Sequence, residues 1–225
     1  MSTPSQSPPI HIGLLLFTDF EALDVFGPMN CLNALSRSFP LRISILTHTA
    51  PKPVNTWPVD PGPHKSSFTQ AVVPTHTFSN PPDDLEVLFV PGGFGMYEKT
   101  EEVAAAVEFI KTVYPKLRYL NTICTGSELV ARAGVLTGKR ATSNKMLFKQ
   151  IQEACPGVEW VPKARWVVDG DIYTASGVTA GIDMTLAFIQ DVYGKEHADE
   201  IADRLEYERA TNSEDDPFAK KYGLE

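Results

Sequence analysis

The chain has only three cysteines in 225 residues: Cys31, Cys124 and Cys155. An odd number, widely spaced, excludes a disulfide framework and the paired spacing of a zinc site, and it fits a reducing setting. Basic clusters are also missing. Lys139-Arg140 and Lys220-Lys221 are isolated pairs, and 28 acidic against 20 basic residues leave a net charge of −8. Nucleic acid is therefore not the expected partner, because phosphate binding needs grouped Lys and Arg. No apolar run reaches the length of a membrane span, so no membrane partner is expected and the protein is placed in the cytoplasm. Residues 10–17 are apolar but short. They follow a polar, proline-containing leader without a charged segment, so they are not expected to be a signal peptide. The five histidines, His11, His48, His64, His76 and His197, show no metal-ligand helical spacing, and no metal is assigned. None adjoins Cys124. Gly134-Val135-Leu136-Thr137-Gly138-Lys139-Arg140 is one residue short of a P-loop and has Arg140 where a hydroxyl belongs. Gly93-x-Gly95 leads to Glu98 where a dinucleotide fingerprint needs a third glycine.

What is present is an alternation of apolar runs and amphipathic stretches. Strands are expected at 10–17, 41–46, 85–90, 117–123, 158–160, 166–168 and 172–175. Helices are expected at 24–35, 103–113, 125–133, 144–153, 181–193 and 198–208. Strands alternating with helices of this length imply crossover units and an α/β fold with a mostly parallel sheet. The run 85–90 is continuously apolar, as a strand buried on both faces should be. Residues 51–82 are proline-rich and break the rhythm, which predicts loops with a small hairpin. The expected organisation is a mobile leader at 1–9, a single domain at 10–208 and a polar tail at 209–225, with Pro217-Phe218 as its docking point.

In an open α/β sheet, ligands bind beyond the carboxyl ends of the strands, where the strand order reverses. Four segments should converge there: 18–24, 91–95, 124–126 and 176–181. Cys124 stands between an apolar run and a helix that ends at Gly134. A strand-to-helix turn lifts its side chain above the sheet, toward helix-start amides that favour thiolate. Cys124 is therefore read as a nucleophile rather than core filler. Cys31, on a helix with Leu32 and Leu35, reads as core, and Cys155 as a partly exposed thiol that nothing activates. The glycines of Pro91-Gly92-Gly93-Phe94-Gly95 fit an oxyanion hole shared with the Thr125 amide, or a tight turn only. Asp24 opens a helix between Leu23 and Val25. Its residue type favours a helix cap, and the sharper reading is a desolvated carboxyl that exchanges protons with substrate.

Five segments together resemble the DJ-1/PfpI superfamily over residues 10–208. They are Leu23-Asp24-Val25-Phe26-Gly27-Pro28, Val90-Pro91-Gly92-Gly93, Ile123-Cys124-Thr125-Gly126-Ser127, the stretch 133–142, and Gly177-Val178-Thr179-Ala180-Gly181-Ile182-Asp183. Within it the chain is most similar to the isocyanide hydratase branch. The resemblance implies a flavodoxin-like three-layer sandwich with a nucleophile elbow, a homodimer and no cofactor. It makes Cys124 the nucleophile and Asp24 its acidic partner, with Thr125 as the third catalytic residue and Gly92, Gly93 and Thr179 as substrate or oxyanion contacts. Many relatives place a histidine where this chain has Asn144. The expected reaction is hydration of an isocyanide to an N-formamide through a Cys124 thioimidate. The alternatives are a glyoxalase-type conversion of methylglyoxal to lactate and a non-enzymatic cysteine redox sensor.

Overall fold

The computed structural model describes residues 7–49, 52–56 and 64–225. In chain order its strands are β1 (His11–Leu15), β2 (Arg42–Thr47), β3 (Val54–Asn55), β4 (Ala71–Val72), β5 (His76–Thr77), β6 (Val87–Val90), β7 (Tyr119–Thr122), β8 (Arg140–Ala141), β9 (Glu159–Trp160), β10 (Trp166–Asp169) and β11 (Ile172–Ala175). The helices are α1 (Ala22–Leu35), α2 (Glu101–Val113), α3 (Gly126–Arg132), α4 (Phe148–Ala154), α5 (Ala180–Tyr193), α6 (Lys195–Arg204) and α7 (Pro217–Lys221).

Seven strands form the central sheet in the order β10-β11-β7-β6-β1-β2-β5. All neighbours run parallel except β10 and β11, which make an antiparallel edge. The fold is the expected flavodoxin-like α/β sandwich. β1 and β6 are buried along their whole length, which is why β6 reads as an unbroken apolar run and β1 as one broken only by His11 and Gly13. α1, α5 and α6 pack together, and α2 packs with α3. The chain leaves β1 toward β2 on one side and returns to β6 on the other. The order therefore reverses beside β1, and the loops after β1, β6 and β7 meet there.

Local chemistry explains most boundaries. Thr100 accepts the Val103 amide at 3.2 Å and starts α2, with Glu101 and Glu102 in the first turn. Val103, Ala106, Phe109, Ile110 and Val113 then form its buried stripe. The expected hairpin in the proline-rich region is the β3–β4 pair. The two-residue edge strand β5 was not expected, because His76-Thr77 has no apolar pattern. The helix expected at 144–153 begins only at Phe148. The Asn144 carboxamide oxygen accepts the Met146 and Leu147 amides and holds 144–147 as a turn.

Residues 1–6 of the expected leader lie outside the described residues. Ser7 and Pro9 are held, by Arg118 Nη2 at 2.9 Å and the Tyr193 hydroxyl at 2.6 Å on their carbonyls. The stretch after Glu208 packs back on the body: Ala219 is fully buried, whereas Phe218 stays exposed. Among the described residues, no helix is long and apolar enough to cross a membrane.

Candidate active site

Cys124 follows β7 at φ 57°, a left-handed backbone that a side chain adopts only under local constraint. Its amide donates to the Ser176 carbonyl at 3.0 Å, and its carbonyl accepts from Ser127 Oγ at 3.2 Å and Ser143 Oγ at 3.0 Å. The turn is thus locked from β11 and from the loop after β8. Gly126 permits it: a Cβ there would lie 2.3 Å from the Val90 carbonyl oxygen.

Asp24 comes from the first turn of α1 and is 1% exposed. It is not a cap, since Glu21 occupies that position and makes no side-chain cap bond. Asp24 Oδ2 accepts the Gly92 amide at 2.9 Å, and Oδ1 has no hydrogen-bond partner among the described residues. Gly93 N–H donates to Thr125 Oγ1 at 3.2 Å. The two glycine amides that the sequence offered as an oxyanion hole are therefore engaged in this state, one by the carboxyl and one by the threonine. Only glycine fits at 92, where a Cβ would meet Thr125 Oγ1 at 2.5 Å and Asp24 Oδ2 at 3.0 Å.

The sulfur collects N–H donors. Asn144 Nδ2 lies 3.1 Å from Sγ, and the backbone amides of Val178 and Thr125 also stabilise the thiolate. Thr179 starts α5, and its hydroxyl accepts from Arg165 Nη2 at 3.4 Å; the amide reaching the sulfur is that of Val178, one residue earlier. Val178 has φ 25°, unusual for a β-branched residue. Sequence reasoning missed Val178 and gave Asn144 no role. The one available signal was Asn144 itself, which the sequence singled out as the position where the family resemblance leads one to expect a histidine.

Burial opposes these donors. It is the main cause that pushes the Cys124 thiol up to about 12, and the Asp24 carboxyl adds to it. The helix-start amides expected to favour thiolate do act on the sulfur, but burial of Cys124, which is 6% exposed, outweighs them, and the carboxyl raises the thiol rather than activating it. Burial likewise raises Asp24 to about 8, against the Gly92 amide and the Cys124 thiol, both of which favour its ionised form. The carboxyl and thiol thus form one coupled pair that keeps protons to unusually high pH.

The remaining candidates lie elsewhere. Cys31 is core, with its thiol raised by burial. Cys155 is buried at 9% exposure, not partly exposed as expected, because it closes α4 under Trp160. No histidine hydrogen-bonds Cys124 or Asp24 among the described residues. His11 sits at the opposite end of β1, between Asp84 Oδ1 and Ser44 Oγ at 2.8 Å each. That chain has the order of a hydrolytic triad, but Ser44 is 2% exposed within β2 and cannot meet a substrate. Among the described residues no three acidic, histidine or cysteine side chains group to hold a metal.

The DJ-1/PfpI family pattern matches residues 11–191, spanning the β1, β6 and β7 ends that build this site. The chain belongs to the DJ-1/PfpI family. Isonitrile hydratase of Pseudomonas putida is 34% identical over 199 residues, covering 88% of this chain and 78% of that protein. The family is functionally mixed. The HTH-type transcriptional regulator GbdR of Pseudomonas aeruginosa is 31% identical over 131 residues, 58% of this chain but 35% of the regulator. A crystal structure of a ThiJ/PfpI family protein from Pseudomonas syringae superposes with a TM-score of 0.71 at 28% identity, covering 94% of this chain and 78% of that one.

Proposed function

We propose that this protein is a cofactor-free cysteine hydratase that adds water to an isocyanide and releases an N-substituted formamide. The observation that carries the reading is the buried Asp24–Cys124 pair, joined by a hydrogen bond, with Asp24 Oδ1 left without a partner among the described residues. The similarity to isonitrile hydratase supports the same choice of substrate. An isocyanide is linear at its terminal carbon, which suits a cysteine only 6% exposed.

Once the pair has lost one of its two protons, as pH rises through about 8, the remaining proton is enough and the reaction needs no other acid. Cys124 attacks as the thiolate that the Asn144, Val178 and Thr125 N–H groups support, forming a C–S bond to the terminal carbon. That carbon then takes the proton from the Asp24 carboxylic acid, which gives a thioimidate. Water adds to the C=N carbon, with one proton going to nitrogen and the other to the Asp24 carboxylate. Cleavage of C–S returns the thiolate and releases the formamide. The sum is one isocyanide and one water. The Gly93 amide on Thr125 Oγ1 holds the loop register, and the Thr125 amide, already on the sulfur, is a donor for charge that develops on the intermediates.

Conversion of methylglyoxal to lactate requires protons to be shuttled between two carbons, commonly by an imidazole. The group facing the sulfur here is the Asn144 amide, which carries no exchangeable acid proton near neutral pH. Side-by-side assay of an alkyl isocyanide and methylglyoxal should give formamide and no lactate; lactate alone would transfer the assignment to the second reaction. The same reading proposes a homodimer, with the exposed apolar side chains Leu23 and Phe26 of α1 and Ile43 of β2 at its interface.

A further inference from the structure

Four consecutive residues after β8 connect the nucleophile to the far end of the chain. Thr142 hangs from β11 by its amide, which donates to Thr174 Oγ1 at 2.9 Å. Ser143 Oγ donates to the Cys124 carbonyl and Asn144 Nδ2 to the Cys124 sulfur. Lys145 turns inward. Its ammonium donates to Thr142 Oγ1 at 2.6 Å and to the Ser143 carbonyl at 3.2 Å, and it lies 5.2 Å from the Phe148 ring centroid. Asp216 Oδ2 faces it at 3.5 Å, and the side chains of this ion pair are 2% and 0% exposed.

Asp216 belongs to the segment that follows the family-matched region. Its Oδ1 accepts the Phe218 amide at 2.9 Å and starts α7. The Arg165 amide on the Ser213 carbonyl at 2.6 Å and the burial of Ala219 hold the same segment in place. A buried ion pair is a poor source of net stability, since desolvation offsets most of the attraction. This one sits one residue from the amide that meets the sulfur, and its ammonium grips both residues before that amide. Its geometric consequence is orientation.

We propose that Lys145 and Asp216 are positioning residues for Cys124. The C-terminal segment, through Asp216, locks the turn at 142–145 and thereby sets the Asn144 amide on the sulfur. The proposal rests on the cysteine-nucleophile reading above, but not on isocyanide as the substrate.

The test is the rate of Cys124 alkylation by iodoacetamide across pH, read by peptide mass spectrometry so that Cys31 and Cys155 are scored separately. Asp24 and the Tyr97 phenol, the ionisable groups coupled to the sulfur, stay unchanged in every variant. Removing one charge would strand the other, so the decisive variant is K145M/D216N, with folding followed by circular dichroism. It should alkylate Cys124 about tenfold more slowly near pH 8, because a donor to the thiolate is lost. Adding N144A should cause no further slowing, since both changes act through one contact. A purely structural role would loosen the loop and speed alkylation of this buried thiol. An unchanged or faster rate, or a full additional effect of N144A, overturns the proposal. Should K145M/D216N not fold, D216E keeps the charge and displaces the carboxylate. Slowing of several-fold supports the proposal, and a wild-type profile overturns it. Slowed alkylation in a protein that turns over no isocyanide would sink the hydratase reading alone, whereas formamide production with unaltered alkylation in these variants would sink only this one.

Discussion

A carboxyl group that is 1% exposed holds its proton far above the ordinary carboxylate range, and Asp24 does so mainly through burial. The sign of the stability effect follows. Between pH 3.8 and about 8 the native state keeps a proton that the unfolded chain releases, so stability falls as pH rises through that window. Asp24→Asn should remove this decline, and its melting temperature should gain on the wild type between pH 5 and pH 8 in calorimetry. The same substitution removes the proposed proton donor to carbon, and formamide turnover should drop by about 10²- to 10⁴-fold. Gly92→Ala places a methyl 2.5 Å from Thr125 Oγ1 and 2.7 Å from the Thr125 amide. It should destabilise by about 1–3 kcal/mol and slow Cys124 alkylation, measured by denaturant titration and mass spectrometry. The place of Cys124 was legible because a residue between a strand and a helix takes it from local pattern, whereas Asp24 read from its residue type as a cap and became the acidic partner only through the family resemblance. Asn144 and Val178 were not, because their contact with sulfur depends on how two distant loops cross. The protonation of the pair was not legible either, since burial is a property of the assembled site.

Elements were readable where one force dominates. β11 came out at its observed bounds because Ile172–Ala175 is a short apolar run between turn residues. α2 shows a full stripe and a cap, and Thr100→Ala should cost about 1 kcal/mol and lower the melting temperature by a few degrees. The start of α4 was misplaced by four residues because the Asn144 side chain competes for the first amides. That competition couples the helix start to the site: the same carboxamide oxygen that delays α4 aims its nitrogen at Cys124. β5 pairs with β2 over two residues only, and no periodicity can signal so short an edge.

At the scale of the molecule, the reversal of strand order beside β1 brings the loops of three parallel strands to one point. Alternating strands and helices announce such a sheet, so the location of the site was implied before its geometry. Leu23 and Phe26 of α1 and Ile43 of β2 leave large apolar side chains exposed on one face, and a second copy is proposed to cover it. Phe26→Asp should then shift the protein to monomer in sedimentation velocity, while a wild-type protein already monomeric would end that assignment. The sequence put the docking point of the C-terminal segment at Pro217-Phe218, whereas the buried anchors are Asp216 and Ala219; Asp216 was missed because charge in a polar, acidic stretch ordinarily faces water. The central claim, however, concerns one sulfur atom. Proton NMR of formamide production from an alkyl isocyanide, by wild type and by Cys124→Ala, tests it most directly. The account predicts steady formamide from the wild type and at least a roughly thousandfold lower rate from the variant; equal rates from the two proteins, or no formamide from the wild type, would contradict it.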